Sequence, residues 1–154
     1  LRQTPNLKRL LVLTGPEHSR ISVERLKGLR EVLAAHPDIQ VEVQAGDYTL
    51  MPAYLHTLDY LAAHSAPEAI MGFNQLITLG ALRALRMHNI PHDSLTICGI
   101  DRLPFADIFG VPIACVAHDA SLAGSSAVRL LLDRLQDPHK PRDKVVIAGK
   151  LENG

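Results

Sequence analysis

Four polar residues stand at the ends of apolar, strand-like runs, which is where a buried parallel sheet hands its chain to solvent. Leu95-Thr96-Ile97-Cys98-Gly99-Ile100 ends on Asp101, Val41-Glu42-Val43 runs on to Gly46-Asp47-Tyr48, and Ala69-Ile70-Met71-Gly72-Phe73 ends on Asn74. Leu10-Leu11-Val12-Leu13-Thr14 runs into Gly15-Pro16. In an open α/β sheet such exits share one edge, outside the carboxyl ends of the strands, and ligands bind there. A carboxylate accepts two hydroxyl hydrogen bonds, an Asn side chain both donates and accepts, and an aromatic ring covers a sugar's C–H face or stacks on a base. Asp47, Tyr48, Asn74 and Asp101 are therefore candidates for one binding site, with Arg25 adding a fork of donors. Each has a plainer reading: Asp47 and Asn74 as helix caps, Tyr48 as loop packing, Arg25 as a solvated side chain. Asp101 is the hardest to explain away, because no clear helix follows for it to cap.

The elements that must position these residues alternate. Val23, Leu26, Leu29 and Leu33 recur at helical spacing from Ser22, a plausible cap, to about Ala35. A second helix follows Asp47-Tyr48-Thr49, with Pro52 in its first turn, and ends at Ser65-Ala66-Pro67. A third begins at Asn74 and carries Leu76, Leu79, Leu82 and Leu85 to about His88. Beyond Asp101 the stretch from Arg102 to Gly110 reads as irregular, and Ile113 to Ala117 as a strand. A fourth helix spans Ser121 to about Gln136, and a last short strand spans Lys144 to Ala148. Strand and helix in this alternation predict a three-layer α/β fold, a mostly parallel sheet flanked by helices.

Composition narrows the chemistry. With 154 residues, 47% of them apolar, the chain can bury one substantial core. Sixteen basic residues balance sixteen acidic ones, so its own surface gives no electrostatic reason to bind nucleic acid or anionic membrane. No apolar run approaches the roughly 20 residues of a membrane span. The first residues, from Leu1, have no signal-peptide core and no initiator Met, so a piece of a longer chain is expected. Cys98 and Cys115 lie in strand-like runs without partners at metal-ligand spacing; they read as small buried hydrophobes in a reducing compartment. No glycine-rich phosphate loop, Walker lysine or nucleophile elbow occurs, and the eight histidines are scattered. The expectation is binding without catalysis, cofactor or metal; an α/β enzyme using Asp101 as a base is the alternative of a different class.

Gly15-Pro16, then Glu24-Arg25-Leu26-Lys27-Gly28, Gly46-Asp47-Tyr48, Phe73-Asn74 leading into Thr78-Leu79-Gly80-Ala81-Leu82, Ile90-Pro91-His92-Asp93, Cys98-Gly99-Ile100-Asp101, Val111-Pro112-Ile113 and His118-Asp119 follow one another in a particular order and spacing. That order resembles the LacI/GalR family of bacterial transcription regulators, over nearly the whole chain from Lys8. The resemblance implies a periplasmic-binding-protein-like domain, type I, whose small effector (a sugar, sugar acid or nucleoside-like molecule) modulates operator binding in the cytoplasm. A sugar-binding protein of a transport system shares that fold and is the alternative. On the family pattern Arg25, Tyr48, Asn74 and Asp101 fall at effector-contacting positions. The resemblance further implies a homodimer, for which Leu82, Arg86, Leu103, Phe105 and Phe109 are the candidates, and DNA contact through an N-terminal helix-turn-helix that this chain does not contain. Residues 1–118 are expected to form the C-terminal effector-binding subdomain, 119–141 a crossover helix belonging to the other subdomain, and 142–154 a return strand and tail. Gln75 and Arg102 stand where the family often has Asp, which changes the charge beside the cleft.

Overall fold

The structure is a computed structural model that describes residues 7–91, 94–104 and 106–152, apart from the side chains of Asp107 and Phe109. Strand β1 (Arg9–Thr14) leads to α1 (Arg20–Leu33), β2 (Gln40–Ala45), α2 (Leu50–Ala63), β3 (Ala69–Gly72), α3 (Gln75–Met87) and β4 (Thr96–Ile100). The short helix α4 (Ala106–Phe109), β5 (Ile113–Ala117), α5 (Ala120–Gln136) and β6 (Lys150–Glu152) complete the order. The strands form one sheet, β2-β1-β3-β4-β5-β6, parallel except for β6. This is the expected three-layer α/β architecture.

Strand β1 lies inside because Leu10, Leu11, Val12 and Leu13 are all buried, whichever face they point to. A strand covered on both faces reads as a continuous apolar run, not an alternating one. The chain steps from β1 outward to β2, then back across to β3, so the winding reverses between β1 and β3. Right-handed crossovers consequently put α1 on one face and α2 and α3 on the other. Helices α2 and α3 approach closely at Gly80, where a Cβ would meet the Leu50 carbonyl oxygen at 2.5 Å and Ala53 Cβ at 2.9 Å. Among the described residues no helix is long and apolar enough to cross a membrane.

Three local expectations are corrected. Ser22 does not cap α1; the cap position is Ser19, and Ser22 lies one turn in, fully buried, while Val23 is 51% exposed. The inward face of α1 is thus Ser22, Leu26 and Leu29, with the two leucines packed on the core. The last strand is not Lys144 to Ala148, which has neither helix nor strand structure, but Lys150–Glu152, antiparallel to β5 with Cys115 opposite Glu152. The apolar content of Val145 and Val146 suggested a strand, yet these side chains are 51% and 77% exposed and pair with nothing in the sheet. Within Arg102–Gly110, the turn of helix α4 replaces the expected irregular stretch.

Helix α5 carries an apolar stripe, and no residue of it is buried: Leu122, Val128, Leu131, Leu132 and Leu135 are each at least half exposed. Asp119 caps its first turn by accepting from the Leu122 amide at 2.8 Å. Its far end is tied to the following loop by Arg134, which donates to the Pro138 and Lys140 carbonyls, and by a Lys140–Asp133 ion pair at 3.0 Å.

Candidate ligand site at the strand exits

The winding of the sheet reverses between β1 and β3, and the carboxyl ends of the strands at such a point are the usual ligand position in a doubly wound sheet. Arg25, Tyr48 and Asn74 converge there. Asn74 Nδ2 donates to the Tyr48 carbonyl at 2.9 Å, and Asn74 Oδ1 accepts from the Ile77 amide at 2.8 Å, capping α3. The Arg25 guanidinium donates to the Phe73 carbonyl, one residue before Asn74. The Tyr48 hydroxyl lies 2.6 Å from Ser22 Oγ and 3.3 Å from Ser19 Oγ, so α1, the β2 exit and the β3 exit are hydrogen-bonded into one cluster.

Two glycines let α3 reach this cluster. Gly72 and Gly99 are neighbours in register on β3 and β4, and a Cβ on either would meet Thr78 Oγ1, at 2.4 and 2.8 Å. The first turn of α3 therefore rests on bare backbone, with Thr78 Oγ1 donating to the Asn74 carbonyl at 3.0 Å.

Asp101 leaves the adjacent strand and belongs to a second group. Its Oδ1 is 3.3 Å from His118 Nδ1 at the β5 exit, and its side chain is 42% exposed. Among the described residues no hydrogen bond joins it to Arg25, Tyr48 or Asn74. It faces a groove of about 590 Å³ whose polar lining is Arg102, His118, Asp119, Lys150 and Glu152. Asp101 has φ 69° and Tyr48 φ 67°, both in the left-handed region. L-residues adopt it at a cost, and such strain collects where surroundings hold a side chain for use.

The plainer readings hold in part. Asp47 is a turn residue: its Oδ1 accepts from the Thr49 hydroxyl at 2.5 Å and the Thr49 amide at 2.9 Å, and these bonds, the hydroxyl's first, hold its carboxyl below the usual 3.8. Asn74 is a cap, as its type allowed, with one N–H and one lone pair left over. The Tyr48 hydroxyl is spent on serines, which leaves its ring for contact. His118, Ser22 and Lys150 were not singled out from sequence as site residues; only their nearness to Asp101 and Tyr48 in the fold reveals them, although His118 directly follows a strand-like run as the chosen residues do.

Two dimer candidates are corrected. Leu82 and Leu103 are 3% and 6% exposed and belong to the core, because α3 turns Leu82 and Leu85 inward and Leu103 folds back under the β4 exit. Arg86 is exposed. Phe105 and the Phe109 side chain lie outside the described residues.

Known proteins are similar to this chain in sequence and in fold. The profile of a periplasmic binding protein-like domain matches residues 6–154. The chain is 30% identical over 132 residues to the HTH-type transcriptional regulator CelR of Thermobifida fusca, covering 83% of this chain and 38% of that regulator. In fold it is similar to a transcription-regulation repressor of the LacI family from Corynebacterium glutamicum (TM-score 0.84, 24% identity), which it matches over 94% of its own length and 56% of the other. It is also similar to the myo-inositol binding protein of Caulobacter (TM-score 0.87, 23% identity), over 98% of this chain and 53% of that one. The chain thus spans about half the length, or less, of the proteins it matches. The sheet order and the matched residues together place the chain in the periplasmic binding protein-like domain family, and its sequence relatives are transcriptional regulators, in keeping with the LacI/GalR resemblance.

Proposed function

We propose that the chain is the ligand-sensing part of a LacI-type transcriptional regulator, taking a small polar effector (a sugar, sugar acid or nucleoside-like molecule) at the strand exits. The observation that carries this reading is the pair of non-glycine residues, Tyr48 and Asp101, held in left-handed backbone at exits of one parallel sheet edge. In this reading Asp101 accepts ligand hydroxyls through its Oδ2, which has no partner among the described residues, the Tyr48 ring covers an apolar ligand face, and Arg25 and Asn74 supply the remaining donors. The chemistry is binding without turnover. Operator contact falls to a segment outside these residues, and the protein works in the cytoplasm.

A regulator is favoured over a transport-system sugar-binding protein because the sequence relatives are regulators, while the likeness to the inositol-binding protein is one of fold. A homodimer would use exposed residues of α3, Arg86 and Met87, and of α4, where Ile108 is 74% exposed. Phe105 and Phe109 belong to the same proposal.

A thermal-shift screen of sugars, sugar acids and nucleosides tests the reading, followed by titration of any hit against Asp101→Ala. Loss of one charge-assisted hydrogen bond is worth about 1.5–3 kcal/mol, or roughly ten- to a hundredfold in affinity. A hit bound equally well by Asp101→Ala overturns the assignment.

A further inference from the structure

We propose that Arg102 and Glu152 are positioning residues for Asp101: an ion pair thrown across β5 locks the turn that carries the Asp101 carboxylate and makes β6 part of the groove wall. The purpose of the lock rests on reading Asp101 as a ligand contact; its existence does not.

Arg102 follows directly on Asp101 beyond β4, Glu152 is the last residue of β6, and β5 runs between them. The guanidinium reaches over that strand in a fork, Nε to Oε2 at 2.9 Å and Nη2 to Oε1 at 2.5 Å. Bidentate pairs of this kind fix direction as well as distance. The backbone beneath converges on one residue. The Asp101 amide donates to the Val116 carbonyl at 2.9 Å, Val116 stands opposite Leu151, and a Cβ on Gly149 would meet Val116 Cγ1 at 2.6 Å.

Beyond its pairing with β5, little among the described residues holds β6. It is three residues long, Leu151 is 72% exposed, and the chain from Pro141 to Gly149 that leads into it has neither helix nor strand structure. Asp101 in turn sits in a conformation that L-residues resist, so its turn persists only while its surroundings hold it. The fork ties these two weakly held segments to each other. With the fork closed, Lys150 is kept opposite Ala117 at the groove mouth beside the Asp101–His118 pair.

The test is native-state amide exchange on the 154-residue chain, which needs no ligand. Exposed ion pairs are individually weak, so each of Arg102→Ala, Glu152→Ala and Glu152→Gln should speed exchange at the Asp101 amide by roughly two- to fivefold. The Ile97 and Cys98 amides in the sheet interior should not change. The charge-swapped double variant Arg102→Glu/Glu152→Arg should restore Asp101 protection. Unaltered Asp101 exchange in the single variants overturns the proposal, as does acceleration shared with Ile97 or a swap that restores nothing. Effector binding retained by Asp101→Ala would remove the ligand role of Asp101 and leave these exchange results standing, so the two failures are distinguishable.

Discussion

The Tyr48 ring occupies the space a Gly15 side chain would fill: a Cβ there would lie 2.1–2.3 Å from three ring atoms. With the Tyr48 hydroxyl bonded to Ser22, this contact fixes the ring at the β1 exit and makes Gly15 and Tyr48 a matched pair.

Gly15→Ala should cost about 1–3 kcal/mol by overpacking, read from urea unfolding. In a Tyr48→Ala background the same change should cost much less, because the ring it displaces is gone. Equal costs in the two backgrounds would show that the pair is uncoupled. Tyr48→Phe should lose about 1–3 kcal/mol, since it strands the buried Ser22 hydroxyl.

Asp101 separates stability from binding. Asp101→Gly removes the steric objection to φ 69° and should stay within about 1 kcal/mol of the parent. Asp101→Val should be less stable by about 1–2 kcal/mol. Both should lose effector binding alike. If Asp101→Val melts with the parent, the left-handed turn is not maintained in solution.

The amino ends of β1 and β3 are clamped by Arg9 and Glu68. The Arg9 amide donates to Glu68 Oε2 at 2.6 Å and its guanidinium to Oε1 at 3.2 Å, while Arg9 also donates to Ser65 and to the Ala66 carbonyl. Burial works against the Glu68 charge, but the Arg9 hydrogen bonds outweigh it and hold this carboxyl below the usual 4.5. A depressed folded pKa gives stability that is complete above the unfolded value and lost as pH falls through the folded one. The Tm difference between the parent and Glu68→Gln should therefore be largest near neutrality and close as pH drops from about 5 to 3. Curves that stay parallel over that range would refute the clamp.

On α5 the outward apolar stripe should tolerate polarity. Leu131 and Leu132 are 57% and 53% exposed, so Leu131→Gln and Leu132→Gln in the 154-residue chain should each change stability by less than about 0.5 kcal/mol. A loss of 2 kcal/mol or more, in the range of core truncations, would mean that these residues are covered in solution.

What the sequence determined by itself is what depends on neighbours along the chain. Leu10 to Leu13 announce a strand buried on both faces, Asn74 announces the cap of α3, and the polar residues ending each apolar run announce where the strands leave the sheet, because burial period and helix capping act over a few residues. The tertiary structure decided everything that joins distant segments. Ser22 reads locally as a cap, yet the Tyr48 hydroxyl 26 positions away draws it inside. Leu82 and Leu103 look like interface residues until the packing of α3 and the β4 exit encloses them. Val145 and Val146 look more strand-like than Lys150 to Glu152, but the open edge of β5 and the reach of Arg102, 50 positions from Glu152, select the latter. Asp101 is legible as a chemical group; His118 beside it is not, since a separation of 17 residues closes only when β4 and β5 pair. Strand pairing and long-range side-chain contacts are settled by the energy of the whole core, which no local window contains.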